Sequence, residues 1–139
     1  MRKTAAFATI TSSLLFVLAL ASATRTNAQV VVGIGSDPGV NCTYYAKVFW
    51  GANCLIGTIG DGSSAEFPVP AGGSASYTLP TGKTLKKLEL RRQPGLINPV
   101  TWICNTGWTV TQNNGSCAGG PPALHFQKHP SSFNFRIYP

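Results

Sequence analysis

Hydrophobic and polar residues alternate along most of the chain after residue 28. The clearest example covers residues 40–50, and its apolar or aromatic positions are Val40, Cys42, Tyr44, Ala46, Val48 and Trp50. Because successive side chains of a strand point to opposite faces of a sheet, this run predicts a strand with those residues directed inward. Lys47 lies at the other parity and marks the opposite face as partly solvated.

Similar alternation recurs in short segments that glycine and proline residues separate. The segments predicted as strands are 29–34, 40–50, 54–59, 65–69, 74–79, 83–92, 100–104, 108–111, 124–127 and 133–138. In segment 83–92, Leu88 and Leu90 are expected to point inward. A hairpin turn is expected around Asn105 to Gly107, between segments 100–104 and 108–111. No segment has a helical period long enough to predict a helix.

Short strands with turns between them predict an all-β fold. We expect an antiparallel β-sandwich of immunoglobulin-like or related topology, with a small β-barrel as the alternative. The strand order is not determined by one sequence.

The first 28 residues predict a signal peptide. Arg2 and Lys3 are followed by an apolar stretch at residues 14–20, which is shorter than the ~20 residues that a membrane span needs. Cleavage is expected after Ala28, with Ala23 as the alternative. Residues 29–139 are then expected to form one secreted domain, periplasmic or extracellular, without stable membrane insertion.

Four cysteines in a secreted domain of this size predict two disulfides. Pairing of neighbours, Cys42 with Cys54 and Cys104 with Cys117, is the simplest connectivity. A tight hairpin after residue 50 would hold Cys42 far from Cys54, however, so a bridge between Cys42 and Cys104 is a competing hypothesis. No Cys-x-x-Cys motif is present, and prolines bracket both histidines, so we expect neither a metal site nor a cofactor.

Removal of the signal peptide changes the charge balance. The remaining chain has eight lysine and arginine residues against four acidic residues, which leaves a net charge of +4. Five of the eight cations, including Lys86 and Lys87, lie in residues 83–92. This segment could contact an anionic glycan or a membrane surface, or it could be a solvated strand whose lysines prevent edge pairing. Secretion argues against nucleic acid as a partner.

The sequence does not predict an enzyme. Only four acidic residues remain, and there is no Gly-x-Ser-x-Gly motif. A small secreted hydrolase that uses Asp37, Asp61 and His125 is kept as one alternative function.

Aromatic residues at positions predicted to face outward indicate a binding function instead. Tyr45 and Phe49 have the outward parity of the strand that contains Lys47, and Trp108 is a further candidate. We therefore expect a non-catalytic domain that binds an extracellular or envelope ligand, a glycan or a protein, through these aromatic residues and through Lys86 and Lys87. The other alternative is a protease inhibitor that uses the glycine-rich loop at residues 111–122.

Overall fold

The computed structural model describes residues 28–55, 61–96, 98–110, 117 and 124–139. The predicted signal peptide up to residue 27, most of the predicted strand 54–59 and most of the predicted loop 111–122 lie outside these ranges. Within them, no helix has the length and apolar character that crossing a membrane requires.

Ten strands make up the described part of the chain. They are β1 (Val31–Ser36), β2 (Tyr44–Gly51), β3 (Gly62–Ser63), β4 (Phe67–Val69), β5 (Ser74–Thr78), β6 (Thr84–Arg91), β7 (Val100–Ile103), β8 (Gly107–Thr109), β9 (His125–Lys128) and β10 (Asn134–Tyr138). No α-helix occurs in the described residues. The all-β prediction is confirmed, and the predicted hairpin forms between β7 and β8.

The strands form two sheets. Sheet I has the order β5-β1-β10-β9, and sheet II has the order β3-β2-β6-β7-β8, with β4 also paired to β2. β1 and β10 run parallel, whereas the other described pairs are antiparallel. The first and last described strands therefore pair at the centre of sheet I.

The core lies between the two sheets. Its largest fully buried side chains are Tyr44, Ile34, Leu79, Leu85, Leu88, Leu90, Ile137, Val32, Val40, Val48, Val69 and Val100. Trp102 of sheet II meets Phe135 of sheet I edge to face, with 5.2 Å between ring centroids. Two packed sheets with one shared core confirm the β-sandwich, and the closed barrel is not formed.

One irregularity interrupts the pairing of β2 with β6. Phe49 pairs with Lys87 and Trp50 pairs with Leu85, so Lys86 is one extra residue of β6 between these two pairs. An extra residue of this kind is a β-bulge, which bends its strand and redirects the side chains around it. The bulge decides how Lys86 and Lys87 are presented.

All four cysteines are in disulfides, as predicted, but both expected connectivities are wrong. Cys42 pairs with Cys117 and Cys54 with Cys104, with Cα–Cα distances of 5.6 and 5.9 Å. β2 and β7 are both antiparallel to β6, so they run in the same direction. Cys54 and Cys104, which follow them, therefore meet at one end of sheet II, while the length of β2 holds Cys42 at the other end. The two disulfides indicate an oxidising, extracellular-type environment.

Candidate functional site

The outer side of sheet II brings aromatic and charged side chains together. β2 contributes Tyr45, Lys47 and Phe49, which lie opposite Arg91, Glu89 and Lys87 of β6 in the ladder. Alternation directs these six side chains away from the core, because Ala46, Val48, Leu88 and Leu90 between them are fully buried. We call these six residues the aromatic–basic face. Four of the five predicted ligand-binding residues lie on or beside it.

Phe49 lies beside the ammonium groups of two lysines. The Nζ atom of Lys87 lies 4.1 Å from the centroid of the Phe49 ring, and that of Lys47 lies 5.4 Å from it. A cation over an aromatic ring is attracted by the negative charge density of the ring face. Both lysines are thereby drawn toward Phe49, and their charges are concentrated around one ring.

Glu89 holds the basic side chains of β6 in place. Its carboxylate accepts hydrogen bonds from Lys87 at 2.8 Å and from Arg91 at 2.6 Å. Arg91 also pairs with Glu66 at 3.2 Å. Burial raises the pKa of Glu89, but the hydrogen bonds from Lys87 and Arg91 outweigh it, so the pKa lies below the ordinary value. Glu89 is therefore ionised at neutral pH and fixes two cations at known positions.

Lys86 and Lys87 differ in accessibility although they are neighbours. Lys87 keeps 34% of its side chain exposed, whereas Lys86 as a whole is only 8% exposed. A Cβ atom at Gly51 would lie 2.5 Å from Cδ of Lys86, so the lysine stem lies across this glycine. The bulge at Lys86 produces this arrangement, and the exposed part of the predicted basic pair is Lys87.

Trp108 is not on the aromatic–basic face. It lies opposite Trp102 in the β7–β8 hairpin and packs against Phe126 and Phe135 of sheet I, with centroid distances of 5.5 and 5.7 Å. A hairpin centred on Asn105 makes residues 102 and 108 partners on one face. The sequence could have indicated this inward position of Trp108. Trp102 shares its parity with Cys104, both are buried, and Trp108 lies on the same face as Trp102.

The residues of the alternative hydrolase hypothesis do not converge on one site. Asp37 binds Arg136, whose Nε lies 2.9 Å from Oδ1, and this hydrogen bond lowers the pKa of Asp37. Asp61 lies at the other sheet and binds Lys83 at 2.6 Å, which lowers its pKa. His125 stacks on Tyr138 at 5.3 Å. The sequence predicted a protein without catalytic activity, and this stays a prediction.

Sequence reasoning missed a row of polar side chains on the outer side of sheet I. Arg136 lies over the ring of Tyr138 at 4.9 Å, so Asp37, Arg136, Tyr138 and His125 form a continuous series of contacts. The alternation of the last strand was its only signal, because Phe135 and Ile137 point inward. In the described part of the chain, no three His, Cys, Asp or Glu side chains are grouped so that they could hold a metal ion.

A cleft of about 330 Å³ lies beside the Cys42–Cys117 disulfide. Arg92, Gln93 and Leu96 form its other described walls. Cys117, which is 5% exposed, is the only described residue of the predicted inhibitor loop 111–122, so that hypothesis falls outside the described residues.

No protein family, curated protein or solved structure matches the chain. The functional argument therefore depends on the geometry of the two outer faces.

Proposed function

We propose that the protein is a secreted, non-catalytic β-sandwich that binds an acidic extracellular glycan on the aromatic–basic face. The observation that carries this proposal is the row Tyr45, Lys47, Phe49 on one strand, with Lys87 and Arg91 fixed beside it on the next. The predicted signal peptide and the two disulfides support the extracellular setting.

The spacing of the two aromatic residues suits an extended ligand. Tyr45 and Phe49 are four residues apart on one strand, which corresponds to about 13 Å at ~3.3 Å per residue. A sugar ring has an apolar C–H side that can pack on an aromatic ring. A chain of sugars lying along β2 would contact both rings, with Lys47 between them.

The cations favour an acidic sugar over a neutral one. An ammonium or guanidinium group forms its strongest hydrogen bonds with a carboxylate or sulfate oxygen. Lys87 keeps 34% of its side chain exposed and is held by Glu89, so little additional side-chain ordering is needed when a ligand binds it. Glu89, the one acid of this face, is ion-paired with Lys87 and Arg91, which supports binding rather than acid–base catalysis.

The test is titration of the disulfide-bonded protein with a polyuronate and with a neutral glucan of similar length. We expect binding to the polyuronate alone, with affinity that falls as salt is added. Phe49→Ala should weaken it about tenfold, since losing one stacked ring removes roughly 1.4 kcal/mol. Lys47→Gln should weaken it and flatten the salt dependence.

Matched controls come from sheet I. Tyr138→Ala removes an aromatic ring from the other outer face, and Lys128→Gln removes an equal charge from β9. Both should bind as the parent does, and melting curves should confirm that every variant is folded. The proposal fails if no acidic glycan binds, or if Phe49→Ala and Tyr138→Ala have the same effect.

A further inference from the structure

The register of β5 shows which of its backbone groups are already used. Ser36 donates its N–H to the carbonyl of Gly73 at 2.7 Å, and Leu79 donates to the carbonyl of Val30 at 2.9 Å. In an antiparallel ladder, every second residue exchanges hydrogen bonds with the neighbouring strand. Residues 73, 75, 77 and 79 therefore direct their backbone groups to β1, and residues 74, 76 and 78 direct theirs to the opposite side.

That opposite side is the edge of sheet I. β5 is the terminal strand in the order β5-β1-β10-β9, and no strand pairs with its outer side in the described residues. Ser74, Ser76 and Thr78 are exposed. Three N–H groups and three carbonyl groups are therefore presented in a row, which is a template for another strand.

The other sheet edges carry features that oppose strand addition. β9 contains Lys128, β4 contains Pro68, and β3 and β8 have only two and three residues. Edge charges, prolines and short lengths are the usual protections against edge-to-edge pairing. β5 has the sequence Ser-Ala-Ser-Tyr-Thr and has none of them.

The sequence of β5 also complements itself. An antiparallel pair with a two-fold axis at Ser76 places Ser74 opposite Thr78 of the other copy, and Ala75 opposite Tyr77. Hydroxyl side chains opposite one another can hydrogen-bond across strands, and a small residue opposite a large one avoids a clash. No charged side chain of the strand meets its own copy in this arrangement.

We propose that β5 is a homodimer interface, at which two copies join their sheets I into one continuous eight-stranded sheet. Residues 74, 76 and 78 form three hydrogen-bonded pairs with two bonds each, about six backbone hydrogen bonds in all. Val31, which is 53% exposed beside Thr78, lies next to the junction and becomes partly covered. The aromatic–basic face belongs to the other sheet, so this inference does not depend on the proposed function.

Sedimentation equilibrium of the disulfide-bonded protein tests the proposal. The parent protein should show a concentration-dependent dimer. Ser76→Pro should weaken it about tenfold or more, because it removes a backbone donor from each copy at the axis. That N–H does not bond to β1, and proline is tolerated on an edge strand when its missing N–H faces outward. Ser76→Thr is the matched control and should dimerise as the parent does.

A second variant keeps the test decisive if Ser76→Pro fails to fold. Ser76→Lys leaves every backbone group in place but sets two ammonium groups opposite each other at the axis, where like charges repel. It should shift the protein toward monomer while its melting temperature at low concentration stays near that of the parent. A parent that stays monomeric at all concentrations, or a dimer that survives both variants, would overturn the proposal.

Cysteine cross-linking then tests the register. Ser76→Cys should form a covalent dimer on mild oxidation, because the two Cα atoms of a hydrogen-bonded pair lie ~5.5 Å apart, within the range of a disulfide. Ser74→Cys should not, since its own copy is displaced by four residues, about 13 Å. Equal cross-linking by both variants would contradict the axis at Ser76.

Discussion

Sheet II and sheet I are stabilised at their ends in different ways. Both disulfides include a cysteine that flanks β2 of sheet II, whereas the strands of sheet I are joined by the parallel pairing of β1 with β10. Sheet II also carries the ion pairs of Glu89, and sheet I presents short polar side chains and an open edge. Sheet II, which the disulfides flank, presents side chains at fixed positions to a partner. Sheet I presents the backbone groups of its edge strand β5.

Two glycines, one in each sheet, differ in the room around them. A Cβ atom at Gly62 in β3 would lie 2.8 Å from the indole of Trp50, which itself stacks on Tyr77. A Cβ atom at Gly35 in β1 would meet only a carbonyl oxygen at 3.9 Å. Packing is thus tight at Gly62 and open at Gly35, whereas a Cβ atom at Gly33 of β1 would lie 2.6 Å from Oδ1 of Asn134.

Loss of the Cys54–Cys104 disulfide should have a large effect on stability. Replacing both cysteines by alanine frees a loop of 50 residues, which the loop-entropy estimate values at about 4 kcal/mol. Urea denaturation should show this loss, and hydrogen exchange should accelerate in β2 and β7 before it accelerates in β1. Equal acceleration in both sheets would contradict the contrast between them.

Added methyl groups at the two glycines should have opposite effects. Gly62→Ala should cost about 2 kcal/mol, because the indole of Trp50 is a rigid ring that must move. Gly35→Ala should be neutral or stabilise by about 0.5 kcal/mol, since the site has room and alanine restricts the unfolded chain. Thermal melts of the two variants measure this difference, and a destabilised Gly35→Ala would show that the site at Gly35 has no room for a methyl group.

The ion pair of Glu89 should contribute more than that of Asp37. Glu89→Gln should lower the free energy of unfolding at pH 7 by about 1 kcal/mol, after allowance for solvent screening. The pKa of Glu89 lies below its ordinary 4.5, so the ionised form favours folding. This contribution is present above pH 4.5 and disappears as the pH falls through the lowered pKa.

Glu89→Gln should therefore match the parent more closely in acid than at neutral pH. Asp37→Asn is the comparison on sheet I, and because its pair with Arg136 is exposed, its effect should be smaller. Denaturation curves between pH 3 and 7 measure both. A larger effect of Asp37→Asn would reverse the ranking of the two sheets.

Removal of the Tyr44 hydroxyl should have the smallest effect. This group is buried where β2 meets Phe126 of sheet I, and it has no hydrogen-bond partner in the described residues. Tyr44→Phe should therefore change stability at neutral pH by less than about 0.5 kcal/mol, or raise it.

The effect of Tyr44→Phe should appear at alkaline pH. Burial raises the pKa of Tyr44 from 10.0 to about 12, against an opposing effect of Arg92. The neutral phenol therefore favours folding, and stability falls as the pH rises from 10 toward 12. Tyr44→Phe should remove this part of the alkaline loss. An unchanged alkaline loss in Tyr44→Phe would indicate that Tyr44 is not buried at the sheet junction.

Local patterns in the sequence predicted which way side chains face. Tyr44, Ala46 and Val48 are fully buried, as their alternation indicated, and the turn at Asn105 to Gly107 has the positive φ angles that asparagine and glycine accept. Tyr45 and Phe49 lie on the opposite side of the same strand for the same reason. Spacing by two residues is a property of any extended chain, so it can be inferred without knowing the partner strand.

The tertiary structure alone decided the pairing of distant segments. The parallel contact of β1 with β10, the disulfide partners and the bulge at Lys86 each depend on how strands are ordered and registered. Strand order and register follow from the packing of whole sheet faces across the core, and they cannot be inferred from residues adjacent in sequence. The sequence thus determined strands with one buried and one exposed face, and cysteines that form disulfides. Long-range packing determined which sheet faces and edges remain exposed to a partner.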